Sequence, residues 1–339
     1  MANGILKRGI SRRFALGAIA SAGACLVASR PITALAFDAR KDDLAKLLPN
    51  VGDASRRFLR QLLESRDFTG QIPAVLVKEL LAIEQKPLPE LMSALLPLAS
   101  TFARPPISNF RVGTVARGAT GSLYLGFNIE IPKQALGFSV HGEQAALSSA
   151  YMHGEQGVSA IAVTAAPCGH CRQFMKELSP DGDIEVLVTG AAPTRLDALL
   201  PQAFGPKDLG RTTGAFPIVE TKLTLKAPTS DAVKLAALDA ARKAYAPYSG
   251  ACSGIAIATR KGRIHEGSYL ENVAFNPSLP PLETALVRMI LAGDEYAAIA
   301  RVVLVEAPGA KISQRSVTEA VLGSIAPGVK LEVLAATEG

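Results

Sequence analysis

Pro106, Gly113 and Gly126 recur as Pro247, Gly254 and Gly267, each 141 positions later in a chain of 339 residues. Glu143 recurs as Glu283 at an offset of 140, and Pro167 as Pro308 at 141. Five anchors at a nearly fixed spacing mark a duplicated folding unit. Within the first copy, strand-like runs at 110–116 and 123–128 flank the turn Arg117-Gly118-Ala119-Thr120-Gly121. A helix from His141 to Met152, a strand over 158–164, a helix opened by Pro167 and a strand over 184–188 follow. The order β-β-α-β-α-β predicts a layered α/β domain. The expected organisation is therefore one such domain over 104–192, a linker over 193–228 and a second domain over 229–339. Residues 37–103 read as helical, since Phe58, Leu59, Leu62 and Leu63 and then Val75, Leu76, Leu80 and Leu81 repeat at helix spacing. That region is expected to be a cap or a dimer-supporting element.

The first copy carries one imidazole, two thiols and a carboxylate in two short clusters, His141-Gly142-Glu143 and Pro167-Cys168-Gly169-His170-Cys171. Two thiolates and a neutral imidazole are zinc ligands, and three protein ligands leave the fourth, catalytic position open. Glu143 is placed to lie beside the metal without binding it and to carry protons. Both clusters fall at helix N-termini, where the positive end of the helix dipole favours anionic groups. A structural four-ligand site fails on inventory: Cys25 lies near the N-terminus and Cys252 in the other copy. A redox reading of the Cys-x-x-Cys pair leaves His141 and Glu143 without a task. His-x-Glu followed by Pro-Cys-x-x-Cys is the pattern of zinc-dependent nucleobase deaminases. In the second copy the ligand positions hold Pro281, Gly309 and Ile312, none of which binds zinc, so Glu283 is expected to be a structural remnant. Of the remaining polar candidates, His170 is expected to make a turn or dimer contact, His153 and His265 to pack or lie at the surface. Arg172 is expected either to donate to a zinc thiolate or to form an ordinary ion pair.

The formal charge of +6 invites a nucleic-acid reading. Five of the 36 basic residues (Lys7, Arg8, Arg12, Arg13 and Arg30) lie in residues 1–36, which hold no acid, leaving 31 basic against 30 acidic residues beyond them. A near-neutral body without tryptophan is a poor match to a basic, aromatic-lined nucleic-acid groove. No internal apolar stretch is long enough to span a membrane. Residues 1–36 read as a targeting leader: a basic start, an apolar run over 14–28, and Ala34-Leu35-Ala36 as a small-x-small cleavage site. Ser11-Arg12-Arg13-Phe14-Ala15-Leu16 resembles a twin-arginine export signal, which predicts an exported, periplasmic protein. Organelle targeting and a cytoplasmic location are the alternatives.

With these residues assembled, the chain from about Arg104 onward resembles the two-domain, homodimeric cytidine deaminases of bacteria and plants. The likeness rests on Ser108-Asn109-Phe110, Phe127-Asn128-Ile129-Glu130, His141-Gly142-Glu143-Gln144, the run from Pro167 to Met175, the run from Ala203 to Leu209, and Ala274-Phe275-Asn276-Pro277. The resemblance implies a three-layer α/β/α domain present twice, and hydrolytic deamination of cytidine or deoxycytidine with release of ammonia. It implies Zn2+ held by His141, Cys168 and Cys171, with Glu143 as proton shuttle. Asn128 and Glu130 would bind the ribose hydroxyls, Phe110 would stack on the pyrimidine, and the Gly142 backbone N–H would meet its carbonyl. Ala274 and Phe275 would close the site of the other subunit. Gly142 stands where the family usually has Ala, which is expected to loosen that loop. The rival functions are a deaminase of another amino-substituted base or of nucleic acid, and a non-catalytic exported zinc-binding protein.

Overall fold

A computed structural model describes residues 43–339 except 180 and 182, so the leader expected over 1–36 lies outside the described residues. The N-terminal part contains helices α1 (Leu44–Leu47), α2 (Asp53–Glu64), α3 (Ala74–Glu84), α4 (Leu88–Ala94) and α5 (Leu96–Thr101). Strands β1 (Gln71–Ile72), β2 (Gly113–Gly118), β3 (Leu123–Phe127), β4 (Val158–Val163), β5 (Glu185–Val188) and β6 (Thr194–Arg195) form one sheet in the order β1-β3-β2-β4-β5-β6. Strands β7 (Leu223–Leu225), β8 (Ser253–Thr259), β9 (Ile264–Ser268), β10 (Ile299–Glu306) and β11 (Leu331–Glu338) form a second, ordered β7-β11-β10-β8-β9. The remaining helices are α6 (Gly142–Met152), α7 (Gly169–Leu178), α8 (Leu196–Leu199), α9 (Ala232–Arg242), α10 (Pro281–Leu291) and α11 (Arg315–Ile325). The parallel pairs β4–β5 and β10–β11 need crossover connections, which α7 and α11 supply. No helix among the described residues is long and apolar enough to cross a membrane.

The two sheets repeat each other residue by residue. Gly113 pairs with Phe127 and Thr114 with Gly126; 141 positions later Gly254 pairs with Ser268 and Ile255 with Gly267. Neighbouring ladder positions face opposite sides of a sheet, so Gly113 and Gly126 mark two faces. A Cβ on Gly113 would meet the Leu96 carbonyl of α5 at 2.2 Å, and one on Gly126 the Ala146 nitrogen of α6 at 2.3 Å. In the copy, Gly254 meets Ala241 of α9 at 2.2 Å and Gly267 meets Ala285 of α10 at 2.3 Å. Glycine recurs at these anchors because a helix backbone rests directly on a strand backbone there. Helices thus cover both faces of each sheet, giving three α/β/α layers twice.

Two sequence expectations change. The region over 37–103 is more than a cap: α5 is one outer layer of the first sheet, and β1 adds an edge strand to it through Gln71↔Tyr124 and Ile72↔Leu123. A two-residue strand is too short to leave a periodic signal. The second change concerns Glu283. The turn between strand and helix is two residues shorter in the copy, so within the helix the offset falls to 139: Gly142 and Ala146 face Gly126 as Pro281 and Ala285 face Gly267. The bridges Ile129↔Val140 and Leu270↔Leu279 agree. Glu283 therefore stands where Gln144 does, Leu282 stands opposite Glu143, and Pro280, not Pro281, opposite His141.

The helices α6 and α10 pack against each other between the sheets, and α6 is buried from Gly142 to Tyr151. Gln144 Nε2 donates to the Pro277 carbonyl across this junction at 3.1 Å. Glu177 of α7, buried, accepts from Tyr245 Oη (2.7 Å), Tyr248 Oη (2.6 Å) and Val273 N (2.8 Å). Glu283 has no such partner: both carboxyl oxygens are buried without a hydrogen bond, and burial raises its pKa from 4.5 to about 8. Its stabilising effect is therefore complete below about pH 4.5 and lost as pH rises through about 8. Glu283→Gln should match the parent at pH 5 and exceed it at pH 8 by about 1–3 kcal/mol, read by urea denaturation at both pH values. Equal differences at the two pH values would contradict a buried, unpartnered carboxyl.

Candidate active site

His141 is the N-cap residue of α6 and Cys168 that of α7. Because β4 lies beside β2, the two helix starts meet. Cys171 Sγ lies 3.2 Å and Cys168 Sγ 3.5 Å from His141 Nδ1, and the two sulfurs are 3.5 Å apart. A tetrahedral zinc with bonds of about 2.0–2.3 Å separates its ligand atoms by about 3.6–3.8 Å, so the donors fit the ion with shifts of a few tenths of an ångström. These three residues form the one group of metal-donor side chains of this kind among the described residues. Hydrogen bonding from the Cys171 thiol holds Cys168 as a thiolate, its pKa lowered to about 4, while the same bond and burial push Cys171 upward.

Glu143, 4% exposed, lies in the first turn of α6. Burial pushes its carboxyl above the ordinary range, and its own backbone N–H, the Cys171 thiol and His141 pull it part of the way back. A carboxyl raised in this way can both accept and deliver a proton near neutral pH. Outward from Glu143 opens a cleft of about 310 Å³, bounded by Phe110, Asn128, Glu130, Leu136, His141 and Gly142, near the lower size limit of small-molecule sites.

Asn128 and Glu130 face this cleft, yet both also hold its wall. Asn128 accepts from Val112 N and donates to the Phe110 carbonyl, each at 2.9 Å. Glu130 accepts from Ile107 N at 2.7 Å, from Ser108 N at 2.9 Å and from the Ser108 hydroxyl. Glu271 in the copy grips Tyr248 N and Ser249 N in the same way, 141 residues on. Phe110 is 57% exposed at the cleft mouth. Ala274 and Phe275 do not line the cleft of their own chain, and Phe275 is 70% exposed on the opposite half.

Other expectations are revised. The His170 ring stacks on His141, centroids 5.1 Å apart at 22°, so it touches the ligand imidazole and not merely a turn. Arg172 donates to the carbonyls of Pro167 and Leu199, both at 2.8 Å, rather than to a thiolate. Gly142 is not a point of freedom: it is the first helical residue, and the space for a side chain there is taken. Leu136 and Val112, which also line the cleft, were not singled out from sequence: Val112 lies within the strand-like run over 110–116, and Leu136 in a single 3-10 turn.

The sequence matches family models of the cytidine and deoxycytidylate deaminase zinc-binding region over residues 86–186 and again over 196–319. A cytidine deaminase of Aliivibrio fischeri is 41% identical over 289 residues, covering 85% of this chain and 96% of its own. The chain belongs to the cytidine and deoxycytidylate deaminase family. A cytidine deaminase of Cronobacter sakazakii is 48% identical over 232 residues (68% of this chain, 78% of its own), and one of Vibrio vulnificus 37% over 294 (87% and 99%). In a member of this zinc-binding family, His141, Cys168 and Cys171 form the group of side chains able to hold the metal. Cys168→Ala should reduce bound zinc from about one per chain to near zero, measured by atomic absorption. Full retention of zinc would remove Cys168 from the ligand set.

Proposed function

We propose that this protein hydrolyses cytidine and deoxycytidine to the uridine products and ammonia. The observation that carries this reading is the buried Glu143 carboxyl beside three zinc donors at the floor of a cleft of nucleoside size. Zinc held there supplies a nucleophile at neutral pH by lowering the pKa of a water to about 7. Glu143 does the proton work. Its carboxylate accepts the first proton of the attacking water and delivers it to ring nitrogen 3; it then takes the second proton, from the hydroxyl now on carbon 4, and gives it to the departing amino group as the carbon–nitrogen bond breaks. Water and the nucleoside are consumed, and the uracil nucleoside and ammonia leave. The Gly142 N–H, at the start of α6, would meet the pyrimidine carbonyl, and Phe110 would stack on the ring. Asn128 and Glu130 offer their remaining acceptor capacity to the ribose hydroxyls.

The protein is read as a homodimer in which Ala274 and Phe275 of one subunit close the site of the other, since they are exposed and do not line their own cleft. The basic, acid-free start of the chain supports export by a twin-arginine route.

Following cytidine absorbance and ammonia release tests the reaction: Glu143→Ala should keep zinc and lose about 10²–10⁴-fold in kcat. Substantial turnover by this variant would end its role as shuttle. Closure in trans is tested by mixing Glu143→Ala chains with Phe275→Ala chains after dissociation. Random pairing should restore about a quarter of parental activity through heterodimers with one complete site. No gain over the Phe275→Ala protein would place closure within one chain.

A further inference from the structure

Thr114 lies in β2 directly across the ladder from Gly126, and both face the first turn of α6. Its side chain is fully buried, and its hydroxyl has no hydrogen-bond partner, an arrangement that costs stability. The side chain presses on the backbone between metal ligand and proton carrier. A Cβ added to Gly142 would come within 2.5 Å of Thr114 Oγ1 and 2.8 Å of Val112 Cγ1, separations that real Cβ atoms do not adopt. The fold alone does not exclude a side chain here. At the equivalent place in the copy stands Pro281, whose carbonyl lies as close to a Cβ on Gly267 (2.3 Å) as that of Gly142 lies to one on Gly126 (2.4 Å). The restriction in the first half comes from Thr114 and Val112.

We propose that Thr114 is a positioning residue for the reaction read above, matched to Gly142. Its side chain occupies the volume a residue-142 methyl would take, and by packing on the Gly142 α-carbon it sets the height of the Gly142–Glu143 turn over the sheet. A side chain at residue 142 would compete with Thr114, and with Val112 beside it, for that volume. The contact acts through shape. Thr114 does not line the cleft and makes no contact assigned to substrate.

The test is a double-mutant cycle on the full protein, read by kcat and KM for cytidine, by zinc content and by melting temperature. Gly142→Ala should lower kcat by about 10–100-fold, as expected when a catalytic group is displaced by a fraction of an ångström to one ångström. KM and zinc content should change little. Thr114→Ala/Gly142→Ala should recover part of that kcat, since it removes the nearer of the two obstructions and leaves Val112 Cγ1. Thr114→Val, of the same shape, should keep parental kcat, and it remains informative if Gly142→Ala does not fold. The proposal is overturned if Gly142→Ala turns over as the parent does, if the double variant is no better than Gly142→Ala, or if Thr114→Val loses kcat. Melting temperature separates this pair from the reaction itself. A parent inert with cytidine, but with the same rescue in melting temperature, would leave the matched packing standing and remove the activity reading.

Discussion

The contact on which the site depends is the backbone packing of α6 on β3 at Gly126. With a Cβ excluded by the Ala146 nitrogen at 2.3 Å, the helix sits as close to the sheet as two backbones allow. Its N-terminus is thereby fixed against β2, and β2 is fixed beside β4, whose end leads into Cys168. Two helix starts converge as a result, bringing the two thiols and the His141 ring into one small volume. The Cys171 thiol, and after it the Cys171 and His170 N–H groups, lower the Cys168 pKa there. Glu143 meets the opposite influence: burial at the sheet surface raises its carboxyl. One packing decision therefore supplies both a site prepared for a cation and a carboxyl able to exchange protons.

Much of this was legible because the chemistry is spelled by residue type. No other reading of His141, Glu143, Cys168 and Cys171 employs all four, and alternating strands with helical runs gave the layer order. The duplication was legible for a physical reason too. Its anchors include glycines at helix–strand contacts, where a Cβ would run into the helix backbone in both halves. What escaped depends on partners distant in sequence. Glu177 reads as an ordinary helix residue until Tyr245, Tyr248 and Val273 converge on it. The mismatch of Glu283 with Glu143 escaped because a turn shortened by two residues leaves the strands in register and shifts only the helix.

Asn128 and Glu130 show how a wall and a binding group can be one residue. Glu130 grips the N–H groups of Ile107 and Ser108, and Glu271 grips their counterparts in a half that has lost every zinc donor. The shared function of the two carboxylates is thus to hold a loop, and it precedes any use of the cleft. Asn109 and Gly250 both adopt the left-handed conformation in that loop, with φ of 57° and 71°. Asparagine tolerates it through its short side chain, and glycine because it has none. In the first half this stiff loop carries Phe110 to the cleft mouth; in the second it carries Ala251, with no ring to offer.

The persistence of an empty second half follows from the same packing. The helix α6 is buried along nearly its whole length because the sheet covers one side and α10 another. Without the copy, its apolar and small residues would face water, and the Gln144 amide would lose the Pro277 carbonyl. Glu177 would lose all three of its recorded donors while staying attached to the helix that carries both zinc thiols. Loss of the zinc ligands in the second half removes none of these contacts, since they come from α10, the 245–248 turn and the 272–277 loop. Catalytic residues in the copy were therefore free to drift, whereas its fold was not.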